Sequence, residues 1–553
     1  MHRILKDIFN ILSTGEKRKL WILSISDVII SILDIGFLVL LLYVIRFYSH
    51  NSSDSSVVFF SLPLFVKSPY LVIVFFFLLF TIKNVFGLIV SGAQYDFVYQ
   101  VASRLSRDGL LSYLNGSYPD YVHIDSSVIN RKISQQPIEF CHYVLNGMQQ
   151  IFSQLVLIGV TVVAIIIYNP LLFPLLLIFL TPPVFFISFF MKRRMKATLQ
   201  HGKMAGEKAI QHLQEALAGY IESNIYLKND FFASRYYRFQ GKLNHYLSNK
   251  LTLQSVPGRL IEVFAVFGLL ILVIANYFAG QDHGMGLVTI GALMIAVYKI
   301  IPGIVKITNT VSQVKSYAYS TVGLSHTMEQ NPIRNEPVVR IDSIRLENIC
   351  FSYPDKTVLK NFSMELNATD LLGISAISGR GKTTLVHVIL GFLKADSGYV
   401  FINGQIVPPE NRKLYWNRIA YSKQQHFFLH DSVTKNITLQ EADFDTEKLA
   451  RVVVLCGIDK LISGLPLGLD AVITENGKNL SGGQRQRILF ARALYKEADL
   501  IILDEPFSEL DESTERDMLK HLQAIAAEGR MIILITHNRE ALNYCNKKYF
   551  MDE

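Results

Sequence analysis

The chain has 553 residues, enough for two or more domains, and half of them are hydrophobic, with a mean hydropathy of +0.29 that is high for a soluble enzyme. The net charge of +8 raises nucleic acid as a partner, but Lys and Arg gather beside apolar runs, as in "GEKRKL" (15–20) and "MKRRMK" (191–196), so no nucleic acid partner is expected. Cys141, Cys350, Cys456 and Cys545 lack metal-ligand spacing, and the N-terminus lacks the pattern of a cleavable signal peptide.

The apolar runs lie before residue 310. A segment 1–20 precedes them, a membrane region covers 21–325, a linker covers 326–344, and a soluble domain covers 345–553. A bilayer span takes about 20 mostly apolar residues. Six stretches qualify: 21–46, 69–92, 145–168, 170–191, 258–279 and 285–308. The connections 48–68, 168–170 and 279–285 are short and hold a single Lys or Arg, Lys67, whereas 93–144 and 192–257 are long and basic. Positive charge favours the cytoplasmic side, so both termini, both long segments and the soluble domain are expected there. The stretch "HGKMAGEKAIQHLQEALAGYIES" (201–223) keeps helical spacing, so the spans are expected to continue as helices beyond the bilayer.

Asp27, Asp34, Lys83, Glu262 and Lys299 fall inside these spans. Charge at membrane depth needs a partner or water. Asp27 and Asp34 are two helical turns apart and share a face. The five residues fit either a polar translocation path or a set of buried ion pairs, such as Asp34 with Lys83 or with Lys299.

The soluble domain reads as α/β. "DLLGIS" (370–375) is a strand, "AISGRGKTT" (376–384) a glycine-rich loop, and "KTTLVHVILGFL" a helix, the context in which a loop cradles phosphates. The loop comprises Ala376, Ile377, Ser378, Gly379, Arg380, Gly381, Lys382, Thr383 and Thr384. Backbone N–H groups of Gly379, Arg380 and Gly381 would wrap the phosphates, Lys382 adds a charge, and the Thr383 hydroxyl suits Mg²⁺. "DLIILDEP" (499–506) is an apolar strand ending in Asp504, suited to Mg²⁺, and Glu505, suited to general-base work on water. "MIILITH" (531–537) ends in His537, placed for a γ-phosphate contact.

"LSGGQRQRILFARAL" (480–494), with Leu480, Ser481, Gly482, Gly483 and Gln484 at its start, resembles the signature motif of ATP-binding cassette (ABC) proteins. Further positions follow in family order. Tyr353 in "FSYPD" matches the adenine-stacking aromatic, and Gln424 in "YSKQQHFF" the glutamine that meets Mg²⁺ and the membrane domain. Glu475 in "ITENGKNLSGG" matches the acidic residue ahead of the signature, and Asp511 in "SELD" the end of the D-loop. With six spans before one cassette, the chain resembles a half-size ABC exporter. The resemblance implies a homodimer in a bacterial cell membrane, two ATP molecules sandwiched between the P-loop of one cassette and the signature of the other, and coupling segments near 123–132 and 227–236.

Ala376 stands where the loop pattern has glycine. At negative φ alanine fits; at positive φ its methyl costs roughly 1–2 kcal/mol. With Gly379 to Thr384 intact, Ala376 is expected to be tolerated. "SKQ" in place of "VPQ", Arg380 in place of serine and a short tail after His537 are milder departures. The stretch 249–273 is similar to its counterpart in lipid-linked oligosaccharide flippases, keeping Gln254, Pro257, Arg259, Ile261 and Glu262. A lipid-linked or amphipathic substrate is therefore expected, with a peptide as the alternative cargo and a nucleotide-gated channel or regulatory subunit as the alternative class.

Overall fold

The computed structural model describes residues 2–49, 70–116, 118, 126–168, 170, 172–278, 287–325, 339–354, 356–375, 380–424, 426–462 and 467–551. The chain divides into two compact units, Met1–Gly116 with His123–Asn331, and Ser117–Val122 with Pro332–Glu553.

The first unit is helical: α1 His2–Ile11, α2 Thr14–Ser49, α3 Tyr70–Leu114, α4 Asn146–Tyr168, α5 Leu172–Ala218, α6 Asn229–Phe278, α7 Leu287–Tyr317 and α8 Tyr319–Ser325. The six helices α2 to α7 carry the six predicted spans. Ser13 and Glu16 bond reciprocally at the start of α2, a capping box, and Arg104 of α3 clamps Glu16 at 2.7 Å. Helices α3, α5 and α6 have 45, 47 and 50 residues. At 1.5 Å per residue they reach about 68–75 Å, more than twice the ~30 Å hydrocarbon layer, in keeping with helices that continue beyond it. Among the described residues, Thr14–Leu41, Tyr70–Leu114 and Val128–Ile167 are long and apolar enough to cross a membrane.

Lys83 of α3 donates to Asp34 of α2, so the ion-pair alternative describes these two residues. Asp27 is half-buried on the same face of α2. Glu262 is exposed and reaches back 3.8 Å to Arg259 on its own helix. The side chain of Lys299 lies outside the described residues.

The second unit holds a four-stranded and a five-stranded sheet, besides a short pairing of Asp431–Ser432 with Val472–Ile473. Strands β1 Ser343–Tyr353, β2 Lys356–Asn367, β4 Ser397–Ile402 and β5 Gln405–Ile406 form an antiparallel sheet in the order β2-β1-β4-β5. Strands β3 Leu371–Ser375, β6 Ile419–Ser422, β7 Leu500–Asp504, β8 Met531–Ile535 and β9 Lys547–Phe550 form a parallel sheet in the order β9-β3-β8-β7-β6. Every residue of "LIILD" and "MIILI" is buried, as strands covered on both faces require. Helices α9 Lys382–Leu390, α10 Gly482–Tyr495 and α11 Glu512–Ala527 pack with this sheet. Because β8 lies between β3 and β7, the loops after all three strands meet at one carboxyl edge.

Residues 117–122 cluster with the second unit, where the Tyr118 ring stands 4.8 Å from His387 and 5.2 Å from Phe392. The coupling segment expected at 123–132 begins just after this excursion; residues 123–125 lie outside the described ones, and Ser126–Asn130 is a helix of the first unit. Of the segment expected at 227–236, Leu227 and Lys228 precede α6 and residues 229–236 form its first two turns.

Candidate nucleotide site

Helix α9 starts where the P-loop ends. Gly381, its N-cap, has φ +97°, and an added Cβ would run into the Val358 side chain, so glycine is required there twice over. Ala376, Ile377, Ser378 and Gly379 lie outside the described residues. Thr383 is exposed and Thr384 buried, so Thr383 presents the available hydroxyl.

Glu505 sits at the centre of the carboxyl edge. Lys382 Nζ donates to its Oε1 at 2.7 Å, Gln424 Nε2 donates to its Oε2 at 2.8 Å, and His537 Nδ1 lies 3.7 Å from Oε1. Residues from three separate motifs thus converge on one carboxylate. Its backbone has φ +52°, uncommon for a long side chain, and the Glu505 N–H is fixed by the Ile535 carbonyl at 2.9 Å. The turn aims the carboxylate back toward α9. Burial alone would raise the Glu505 pKa, but the Lys382 hydrogen bond and charge, with His537, hold it below the ordinary glutamate value.

Asp504, one residue earlier, is 4% exposed. Burial, then repulsion from Glu505, pushes its carboxyl up to about 6, with Lys382 offsetting part of the rise. Two adjacent carboxylates, one of them almost fully buried, form a site that favours an added cation. The Asp504 carboxylate, the Thr383 hydroxyl and the Gln424 amide oxygen are the hard oxygen donors that suit Mg²⁺. Tyr353 is 46% exposed at the end of β1, with its ring roughly perpendicular to that of Phe351 at 5.1 Å.

The signature motif forms the start of α10. Ser481 accepts from Gln484 N at 3.3 Å and Gln484 Oε1 accepts from Ser481 N at 2.9 Å, a second capping box. Leu480 is buried beside it. The glycines have a packing role as well as the phosphate role expected for them. A Cβ on Gly482 would run into Glu509, and one on Gly483 would stand 3.2 Å from the Glu509 carbonyl. The side chain of Glu475 lies outside the described residues. Asp511 caps α11, accepting from Thr514 N at 3.0 Å and from Ser513; these hydrogen bonds hold its carboxyl well below the usual range.

Two α10 residues were not singled out from the sequence. Gln486, buried, donates to Ser508 Oγ at 2.8 Å and accepts from Glu509 N at 3.0 Å, which fixes the D-loop to the signature helix. Arg492 donates to the carbonyls of Asn436 at 2.6 Å and Phe427 at 2.9 Å, tying the same helix to the segment after Gln424. Their partners are 22 to 65 residues away in the chain, so no local pattern announces them.

A family model described as ABC transporter matches residues 359–508. A probable ABC transporter ATP-binding/permease protein of Haemophilus influenzae is 34% identical over 207 residues, 37% of each chain. An ATP-dependent lipid A-core flippase of Photobacterium profundum is 25% identical over 401 residues, 70% of this chain and 68% of that one. The chain thus spans about 37% of the first relative's length and about two thirds of the second's. Among solved structures, a bacterial Atm1-family ABC exporter with ATP bound superposes with a TM-score of 0.79 over 97% of this chain and 94% of that one, at 15% identity, a likeness of fold. Residues 359–508 thus match an ABC transporter domain, and the fold, a long-helix unit followed by one nucleotide-binding cassette, is like that of the Atm1-family ABC exporter.

Proposed function

We propose that this protein uses ATP to export or flip a lipid-linked or amphipathic substrate across a bacterial cell membrane, working as a homodimer with its termini and cassettes in the cytoplasm. The observation that carries the proposal is the convergence of Lys382, Gln424 and His537 on Glu505 beside the buried Asp504. In this reading residues 21–325 form the transmembrane domain and 345–553 the cassette. The naming of relatives as lipid A-core flippases supports the direction and the kind of cargo.

Glu505 accepts a proton from the attacking water through a carboxylate oxygen. Its lowered pKa keeps it ionised at neutral pH. The phosphate chain of ATP gives Lys382 a competing anion, which releases Glu505 from its ion pair. His537, exposed and adjacent, is free to turn toward the γ-phosphate. Asp504, Thr383 and Gln424 would hold Mg²⁺, which supplies charge neutralisation for the phosphate oxygens. Ser481 to Gln484 present a capped helix start to the phosphates of a partner cassette. The exposed apolar tip between α5 and α6, with Ile221, Ile225, Leu227 and Phe231, fits a coupling contact with a cassette.

The test is complementation in trans. Lys382→Ala and Ser481→Arg chains are purified separately and together in lipid nanodiscs. Each alone is expected to lack ATPase activity, and the mixed dimer to regain one competent site. No regain on mixing would refute the composite site, and hydrolysis by either variant alone would refute the residue roles.

A further inference from the structure

Arg131, Lys203, Lys250 and Lys315 surround a cavity of about 560 Å³ within the helical unit, between α5, α6, the end of α7 and the residues ahead of α4. That volume is within the range of small-molecule sites. The charges around it are unequal. Arg131 is neutralised by Glu139 at 3.2 Å and Glu207 at 3.1 Å, and Lys203 reaches Glu207 at 4.0 Å. Lys250 and Lys315 have no carboxylate partner among the described residues.

Lys250 is the unusual group. It is 9% exposed, and its ammonium stands over the rings of Tyr143 at 4.7 Å and Tyr317 at 5.6 Å, which stack on each other at 4.1 Å. The two phenols accept long hydrogen bonds from it, 3.3 and 3.4 Å. Burial and the neighbouring Tyr143 push the Tyr317 phenol up, so it stays neutral and does not cancel the lysine charge. Two ring faces and two weak acceptors hold a cation in place without neutralising it. A buried lysine is normally paired.

The adjoining wall is apolar. Leu243 and Leu247 of α6 lie on the same helical stripe as Lys250, and Leu199 and Leu213 come from α5. Tyr246 and Leu243 of α6 face Gly202 and Gly206 of α5, where an added Cβ would meet them in ordinary contact at 3.4 Å and 3.7 Å. The wall ahead of α4 includes a π-helical turn, Arg131–Gln135, a distortion often found at functional sites.

We propose that this cavity binds the anionic head of an amphiphile, a phosphate monoester or a carboxylate, against Lys250 and Lys315, with the apolar body along Leu199, Leu243 and Leu247. The inference rests on the export reading and names the class of cargo: an organic anion captured on the helical extensions.

The experiment uses the full chain in nanodiscs of zwitterionic lipid, with empty nanodiscs as blank. Radiolabelled octyl phosphate is the probe, and octanoate, octanol, octylammonium and inorganic phosphate compete with it. Octanoate or unlabelled octyl phosphate is expected to compete at least about tenfold better than octanol, and the stronger of the two identifies the head group. Octylammonium is expected not to compete. Lys250→Met is expected to weaken probe binding about tenfold or more, Lys315→Met less, and Lys250→Arg to retain it. If Lys250→Met does not fold, the exposed Lys315→Met and the octanol comparison decide. Equal competition by octanol, or by inorganic phosphate, overturns the proposal. Binding needs no hydrolysis, so the two readings fail separately: anion preference without ATPase activity sinks the export reading alone, and ATPase activity without anion preference sinks this one alone.

Discussion

Two lysine–carboxylate pairs, one in each unit, show how context separates a working group from a structural tie. Lys382–Glu505 in the cassette and Lys83–Asp34 in the helices are alike in chemistry and in burial, with side chains 11% and 14% exposed in the first and 9% and 27% in the second. The cassette pair sits at the carboxyl edge of a parallel sheet, where Gln424, His537 and Asp504 also converge and a phosphate can replace the carboxylate as partner for Lys382. The helical pair joins α2 to α3 within two apolar runs, and Lys83 also lies 5.1 Å from the Phe80 ring centre. On the proposed function the same bond is exchangeable in one place and obligatory in the other.

The largest effect expected from breaking this comparison is catalytic. Glu505→Gln should bind ATP and hydrolyse it at least about a hundredfold more slowly, because the base is gone while the size is kept. Turnover within a few-fold of the parent, measured by phosphate release, would remove Glu505 from the chemistry.

Gly381→Ala tests the loop that delivers Lys382. A methyl at φ +97° facing Val358 should cost about 2–4 kcal/mol in urea unfolding of the nucleotide-free cassette and weaken ATP binding. An unchanged midpoint would mean that this turn is not the constraint described.

The helical pair should answer differently. Lys83→Met alone leaves Asp34 without its partner and should destabilise the protein by about 1–3 kcal/mol, whereas Lys83→Met with Asp34→Asn should return most of it. Thermal unfolding in nanodiscs reads this cycle. If Asp34→Asn lowers transport far more than it lowers stability or basal ATPase, the pair belongs to the translocation path after all.

The smallest effect sharpens the contrast inside the cassette. An acid whose folded-state pKa rises from 3.8 to about 6 takes up protons on folding between those values, so its stability contribution is lost as pH rises through 6. In Mg²⁺-free, nucleotide-free buffer, Asp504→Asn should therefore stabilise the cassette by about 3 kcal/mol at pH 7.5 and by well under ~1 kcal/mol at pH 4. A gain independent of pH would assign the effect to packing.

Most of the cassette was legible beforehand because phosphate chemistry demands particular residues at fixed local spacing. "AISGRGKTT", "LIILDEP" and "LSGGQ" each put their reacting groups within one turn of chain, where spacing reports geometry directly. Six long helices were legible for a similar reason, since bilayer thickness sets a length that an apolar run must match. The requirement for Gly482 was legible only in part: its small size was expected to admit a phosphate, whereas its close approach to Glu509 depends on a segment 27 residues later.

By itself, then, the amino-acid sequence determined the class of chemistry and the class of fold, because those depend on local spacing and on transfer from water to lipid. The tertiary structure alone decided which charges meet. It paired Lys83 with Asp34, brought Lys382, Gln424 and His537 to Glu505 from across 123, 81 and 32 positions of chain, and left Lys250 on two tyrosine faces without a carboxylate among the described residues. Long-range partners are chosen by helix packing and strand order, which summed local preferences do not encode.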